Sequence, residues 1–236
     1  MSGRSSFQGA HAPSTASDED ESTYIQKTNT LQWVRIGLCG LIVILALTVI
    51  GTEGHALQYY NRTVQYEKVY LSLWPQYLDL RPTIALIVCG IILALQGMAF
   101  LTAALSPSPR SRIFFLNSLT TAVSAVGFFA SLIAVTLSLV YTNPHSDNGT
   151  YEGETIHSWT CTWGIKGGRD ARGEKIDPVK NFPRLCSETR ASFALMCTLL
   201  LLQFALCISA GVGWKLEIGM KRKRNESALQ SDKQSV

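Results

Sequence analysis

The stretch that decides the fold is residues 31–52, which read LQWVRIGLCGLIVILALTVIGT. From Ile36 to Thr52 it contains no Asp, Glu, Lys, Arg or His. A helix needs about 20 apolar residues to cross the hydrocarbon core of a bilayer, whereas buried helices of soluble proteins are usually shorter and keep a polar face. The stretch therefore predicts a transmembrane helix, with Arg35 flanking its start.

This first helix is predicted to be a signal anchor and not a cleaved signal peptide. Residues 1–30 precede it, are rich in Ser, Thr and acidic residues, and include the acidic run Asp18–Glu21. The apolar stretch is also longer than the core of a typical signal peptide. Because residues 1–30 have almost no apolar content, we expect them to form a disordered cytosolic tail.

Three further blocks, Thr83–Leu105, Ile113–Tyr141 and Ala191–Trp214, also lack charged residues and His. The whole chain is 47% hydrophobic and only 16% charged. These observations predict an all-α membrane protein. Its transmembrane domain, residues 31–215, is a four-helix bundle with spans at about 31–52, 83–105, 113–141 and 191–214, followed by a basic tail at 216–236.

The distribution of basic residues predicts the orientation of the four spans. Arg110 and Arg112 lie in the short connector between spans two and three, and Lys215 and the run Lys221–Arg224 follow span four. The two other loops, 53–82 and 142–190, each hold equal numbers of acidic and basic residues. Since Lys and Arg concentrate in cytoplasmic loops, both termini are predicted to be cytosolic, in a plasma-membrane or secretory-pathway protein.

Two glycosylation sequons agree with this orientation. Asn61 and Asn148 each begin an Asn-x-Thr sequon, one in each predicted outer loop, where glycosylation can occur. A third sequon, at Asn225, lies in the predicted cytosolic tail and should be unused. Asn61 and Asn148 are therefore the candidate glycosylation sites.

Two of the six cysteines, Cys161 and Cys186, lie outside the spans, both in the second outer loop. A pair of cysteines in an oxidising compartment usually forms a disulfide. A metal site that also used His145 and His157 is the alternative, but these spacings match no usual metal motif. We therefore predict a Cys161–Cys186 disulfide and no metal site.

The segment around the first of these cysteines is HSWTCTWGIKG at residues 157–167, and its side chains can be placed for the case in which it is extended. Alternate residues of an extended chain point to the same face. Trp159 and Trp163 would then lie on the same side as Cys161 and pack around the disulfide or enter the membrane interface. Gly164 would allow the chain to turn.

The spans themselves carry few polar side chains and no charged ones between their flanking residues. Gln96, Asn117 and Gln203 either hydrogen-bond between helices or line a polar path, and the first reading is favoured. Glu53 and His55 are expected to face water at the outer end of span one, with pH or ligand sensing as the alternative. Small residues at helical spacing, as on span two, favour close helix packing inside the bundle or with other membrane proteins.

No catalytic motif is found, so we predict that the protein is not an enzyme and needs no cofactor. The cluster Lys221, Arg222, Lys223 and Arg224 fixes the topology, contacts anionic lipid, or does both. A nucleic-acid partner is not expected, since four spans would tether this cluster to a membrane.

The span pattern, with Gly-His-Ala-Leu-Gln-Tyr-Tyr-Asn at residues 54–61 and Trp74-Pro75, resembles that of fungal-type MARVEL-like four-span membrane proteins. The resemblance covers residues 31–215. It implies a role in membrane organisation or trafficking and carries no catalytic residues.

From these observations we predict a non-enzymatic integral membrane protein that organises or scaffolds membrane components or their trafficking. Its partners would be the lipid bilayer and other membrane proteins or further copies of itself. The alternatives are a small-solute transporter or channel subunit, and a membrane sensor or receptor subunit.

Overall fold

The structure of the protein is a computed structural model that describes residues 15–64, 74–75, 78–106, 112–142, 154–166, 168–169, 175–176 and 181–234. Its elements, in chain order, are α1 (Thr15–Thr63), α2 (Arg81–Leu105), α3 (Arg112–Thr142), α4 (Ile156–Lys166), β1 (Gly168–Arg169), β2 (Lys175–Ile176) and α5 (Phe182–Gln234). The two short strands pair antiparallel, with Gly168 opposite Ile176.

The prediction of four long apolar helices is confirmed. α1, α2, α3 and α5 are each long and apolar enough to cross a membrane, and each contains one of the four predicted spans. They form a ring in which α1 packs on α2 and α5, and α3 packs on the same two helices. We call the end that carries α4 the cap end, and the end where α2 passes to α3 the tail end.

The core of the ring has a seven-residue repeat. Buried residues of α1 follow one another at alternating intervals of four and three residues: Arg35, Cys39, Ile42, Ala46, Val49, Glu53 and Ala56. The same alternation runs along α5 from Thr189 to Glu217. This repeat keeps one stripe of a helix facing its neighbours, as in helix bundles with coiled-coil-like packing.

Glycines on α2 allow α1 to approach closely. A Cβ atom at Gly97 would stand 2.6 Å from Val43 Cγ2, and one at Gly90 would stand 3.0 Å from Ile50 Cγ1. The small face predicted on span two therefore serves the internal bundle. The outer faces of the ring expose many large apolar side chains, including Leu47, Leu95 and Phe129. Such a surface suits contact with lipid.

The prediction of disorder for residues 1–30 is wrong for residues 15–30, which belong to α1. Extending an existing helix avoids the cost of nucleating a new one. Tyr24 and Lys27 also lie beside Lys215 and Met220 of α5. Residues 1–14 lie outside the described residues.

The extended conformation considered for residues 157–167 is not the one adopted, since residues 156–166 form α4. Thr155 and Ser158 cap this helix reciprocally. The Ser158 N–H donates to Thr155 Oγ1 at 3.1 Å, and the Thr155 N–H donates to Ser158 Oγ at 2.9 Å. This arrangement is a capping box in which Ser takes the place of the usual Glu.

Candidate functional site

The predicted disulfide between Cys161 and Cys186 is confirmed, and it joins α4 to the first turns of α5 with a Cα–Cα distance of 4.8 Å. His157 Nδ1 lies 3.6 Å from Cys161 Sγ. Because both sulfurs are consumed by the disulfide, the alternative metal site loses two of its four proposed ligands. The fourth, His145, lies outside the described residues.

The helical form of α4 changes the role predicted for its tryptophans. Trp159 and Trp163 are four residues apart, so they lie on one helix face, and their ring centroids are 5.3 Å apart. Cys161, two residues from each, points about 200° away from them. The two rings therefore pack on each other, and Cys161 is left to face α5.

Gly164 allows α4 to pack closely against the start of α5, and it does not form a turn. A Cβ atom at this position would stand 2.9 Å from the backbone of Phe182 and Pro183. The contact belongs to a small apolar cluster at the cap end that contains Ala56, Trp74, Ile156, Phe182 and Leu185. Trp74 packs 5.3 Å from Phe182 between ring centroids, and its Nε1–H donates to Thr63 Oγ1 at 2.7 Å. The cap is thus packed on the ends of α1 and α5.

A second tie at the cap end joins α1 to α5 directly. His55 Nδ1 lies 2.7 Å from Glu188 Oε2, and Arg184 Nε donates to Glu188 Oε1 at 2.8 Å. His55 is half exposed. The expectation that it faces water is therefore met only in part, since it also holds α1 against α5.

Beneath α4 lies a cavity of about 200 Å³. All five helices or the residues next to them contribute to its wall: Glu53, Pro82, Thr83, Leu86, Ser138, Leu139, Thr155, His157, Thr189, Arg190 and Phe193. A cavity of this size holds a small molecule or a group of water molecules. The wall is apolar apart from a few hydroxyl groups and three ionisable side chains.

Glu53 is the most buried of these ionisable groups, with only 1% of its surface exposed. The prediction that it faces water is therefore wrong. It occupies a core position of the seven-residue repeat on α1, which turns it inward. The Thr83 and Ser192 hydroxyls are placed to hydrogen-bond its carboxyl group, but its Oε2 has no partner. A buried oxygen of this kind costs free energy unless a donor reaches it.

His157 is fixed in the cavity wall by Thr189. Its Nδ1 lies 2.9 Å from Thr189 Oγ1, and that hydroxyl donates its own proton to the Leu185 carbonyl at 3.0 Å. With the Thr189 proton directed to that carbonyl, Nδ1 is assigned the proton and Nε2 is left as an acceptor. Burial, together with the nearby positive charge of Arg190, lowers the pKa of His157 from its ordinary value of 6.5.

The tail end contains a buried charged cluster built around Arg35, which was predicted only to flank the start of span one. Arg35 is only 4% exposed. Its Nη1 donates to Asn117 Oδ1 and its Nη2 to the Ser209 carbonyl, both at 2.7 Å. Asn117 Nδ2 in turn donates to Glu217 Oε2 at 3.0 Å, and Lys221 lies 3.1 Å from Glu217 Oε1. The cluster joins α1, α3 and α5.

The three polar residues predicted to lie within the spans fall into two layers. Gln96 and Gln203 both stand against Gly127, where a Cβ atom would collide with their amides, and neither amide has a hydrogen-bond partner. Asn117 belongs to the Arg35 cluster, about 15 Å away along α3 at 1.5 Å per residue. Asn117 thus bonds between helices, as favoured from the sequence, whereas the two glutamines make no such bond.

The remaining predicted site residues that the structure describes lie on helices. Asn61 is exposed in the last turn of α1, and Asn148 lies outside the described residues. The basic cluster belongs to α5, where Lys221 pairs with Glu217 and Arg222 pairs with Glu226. The charges of Lys221 and Arg222 are therefore partly offset by carboxylates.

Sequence reasoning missed Arg35, Glu217 and the inward position of Glu53. The signal that could have found them is the seven-residue repeat, because Arg35 and Glu53 continue the spacing of the apolar core residues of α1. On α5, Glu217 likewise follows Gly213 at the expected interval of four.

Comparison with protein-family models, with curated proteins and with solved structures finds no match for this chain. The fold itself is that of an all-helical protein with one disulfide, whose four long apolar helices are compatible with a multi-pass integral membrane protein.

Proposed function

We propose that this chain is a non-enzymatic integral membrane protein that organises other membrane components, with both termini in the cytosol. The observation that carries the proposal is that the bundle is tied at both ends. The Arg35 cluster joins α1, α3 and α5 at the tail end. At the cap end, the disulfide and the Glu188 contacts hold α4 and α1 against α5.

A bundle fixed in this way suits a rigid frame better than a transporter, whose helices must rearrange during each cycle. Its lipid-facing surface also has positions where a helix of another membrane protein can pack closely. Gly37 and Gly51 on α1 are exposed, with open space around each Cβ position among the described residues. The resemblance to MARVEL-like proteins points in the same direction.

Site-specific photo-cross-linking in native membranes tests the proposal. A cross-linker at Leu47, which is exposed on the face of α1 that also carries Gly37 and Gly51, should capture discrete protein neighbours. Replacing Gly37 by Ile should reduce this capture, whereas replacing the buried Ile42 by Val should not. Capture of lipid alone from every lipid-facing position would refute the organising role.

The layer formed by Gln96 and Gln203 is the test of the transporter or channel alternative. If these amides line a path, solute flux in proteoliposomes should be measurable and should disappear when both become Leu. Under the organising role, the double variant keeps the fold and the captured neighbours, since replacing two unpaired buried amides by apolar groups removes a desolvation penalty.

The cavity favours a second candidate function, that of a membrane sensor or receptor subunit. The specific observation is the buried Glu53, which has an unpartnered Oε2 and lines a cavity large enough for a small ligand. Ligand-dependent changes in the captured neighbours would support this candidate, and unchanged neighbours at a saturating ligand concentration would exclude it.

A further inference from the structure

We propose that the cavity beneath α4 binds a small zwitterion, with its ammonium group at Glu53 and its anionic group at Arg190. This inference goes beyond the organising role and does not depend on it. It is carried by the groups that face the cavity and by the hydrogen bonds they lack.

The acceptor side of the site is built around Glu53. Only 1% of the residue is exposed, and its Oε2 has no donor among the described residues. His157 lines the same cavity, and its proton on Nδ1 leaves Nε2 as a second acceptor. An ammonium group carries three N–H donors and therefore suits a cavity whose wall holds two acceptors.

The opposite charge comes from Arg190 on α5. This residue is exposed, lines the cavity, and pairs with no carboxylate in the part of the chain that the structure describes. Its neighbour at the wall, Leu139, is 54% exposed on the lipid-facing side of α3. The mouth of the cavity therefore combines a cation with apolar surface, which suits the anionic end of a ligand near a membrane interface.

The size and the lining of the cavity limit the ligand. A dry cavity of about 150 Å³ can hold benzene, so about 200 Å³ admits a molecule of only slightly greater size. Leu86 and Phe193 provide apolar contact for a short carbon linker. A short linker between an ammonium and a phosphate or carboxylate is found both in free zwitterions and in the headgroup of phosphatidylethanolamine.

Two binding measurements on the full chain test the proposal and separate these sources. Calorimetry of the detergent-solubilised protein uses O-phosphoethanolamine as the free probe, with phosphocholine, which has no N–H donor, as its comparison. Native mass spectrometry counts the lipid retained from phosphatidylcholine nanodiscs that contain phosphatidylethanolamine. Binding in the first measurement alone identifies a free ligand, and retention in the second alone identifies a lipid headgroup.

The matched variants are Glu53→Gln, Arg190→Gln and the control Arg184→Gln. Each of the first two should weaken binding at least tenfold, as expected for the loss of one charge-assisted hydrogen bond. Arg184 lies on the same helix and pairs with Glu188 outside the cavity, so its variant should bind like the parent protein.

The proposal fails if neither probe binds, if phosphocholine binds as tightly as phosphoethanolamine, or if Arg190→Gln binds like the parent protein. Because Arg190 is exposed, this last variant remains informative even if Glu53→Gln does not fold. Loss of ligand binding with unchanged cross-linked neighbours would also separate the failure of this site from failure of the organising role.

Discussion

Replacing Arg35 by Met should destabilise the bundle more than any other loss of a single charge on α1. Arg35 is 4% exposed and donates two 2.7 Å hydrogen bonds, to Asn117 Oδ1 and to the Ser209 carbonyl. Hydrogen bonds to charged groups contribute roughly 1.5–3 kcal/mol each, whereas those measured between transmembrane helices average about 0.6 kcal/mol. For the two hydrogen bonds together we therefore expect the free energy of unfolding to fall by about 3 kcal/mol, which lies between the totals that these two values imply. This corresponds to a more than hundredfold increase in the unfolding equilibrium constant.

Unfolding of the purified protein in mixed micelles, followed by circular dichroism, measures this loss. Arg222→Met is the matched control, because the Arg222 side chain is 82% exposed and its ion pair with Glu226 is solvated. Replacing the whole cluster, with Arg35→Met, Asn117→Leu and Glu217→Met together, should recover most of the stability, since apolar replacement of a buried ionic cluster is often neutral. Equal unfolding midpoints for Arg35→Met and Arg222→Met would refute the reasoning.

Three further predictions concern the packing and the cap. Gly213→Ala should lower stability because its Cβ would collide with Arg35. Gly211→Ala has open space around its Cβ and should be neutral or stabilising by up to about 1 kcal/mol. The same unfolding assay compares the two variants. Cys161→Ser and Cys186→Ser should each lower the free energy of unfolding by about 3 kcal/mol, because the disulfide joins residues 25 apart in sequence. Both variants should show the same export defect, and different defects would contradict the pairing. Because the pKa of His157 is lowered in the folded state, its contribution is complete above pH 6.5 and is lost as the pH falls through the lowered value. The thermal midpoint should therefore fall on acidification by more than in His157→Gln, and parallel pH profiles would contradict this sign.

The four long helices could be predicted from the sequence because bilayer thickness imposes a simple rule. Uncharged apolar stretches of about 20 residues are rarely found in structures other than transmembrane helices. The ends of the helices could not be predicted by that rule. α1 continues to Thr63 and α5 to Gln234, since outside the bilayer a helix ends where capping and packing end it, and hydropathy reports neither. For the same reason residues 15–30 were misread as disordered.

The structure of the cap could not be predicted because its decisive signals are short. The Thr155–Ser158 capping box spans only four residues and lacks the usual Glu. Without it, the polar and Gly-containing stretch around Cys161 looks extended. The disulfide itself was predictable, because compartment and cysteine count allow only one pairing outside the spans.

The candidate site could not be predicted by counting the charged residues of each stretch. Their positions in the seven-residue repeat decide which of them point into the bundle. Arg35 and Glu53 occupy the two different core positions of the same seven-residue repeat on α1. Both are buried by the same packing, but their surroundings differ. Arg35 uses both Nη atoms in hydrogen bonds to α3 and α5, although its Nε has no partner among the described residues. Glu53 has an unpartnered oxygen and belongs to the wall of a cavity. Two hydrogen bonds to neighbouring helices thus offset the burial of Arg35, whereas Glu53 lies beside a space that a ligand can occupy, and Glu53 is therefore the better marker of a ligand.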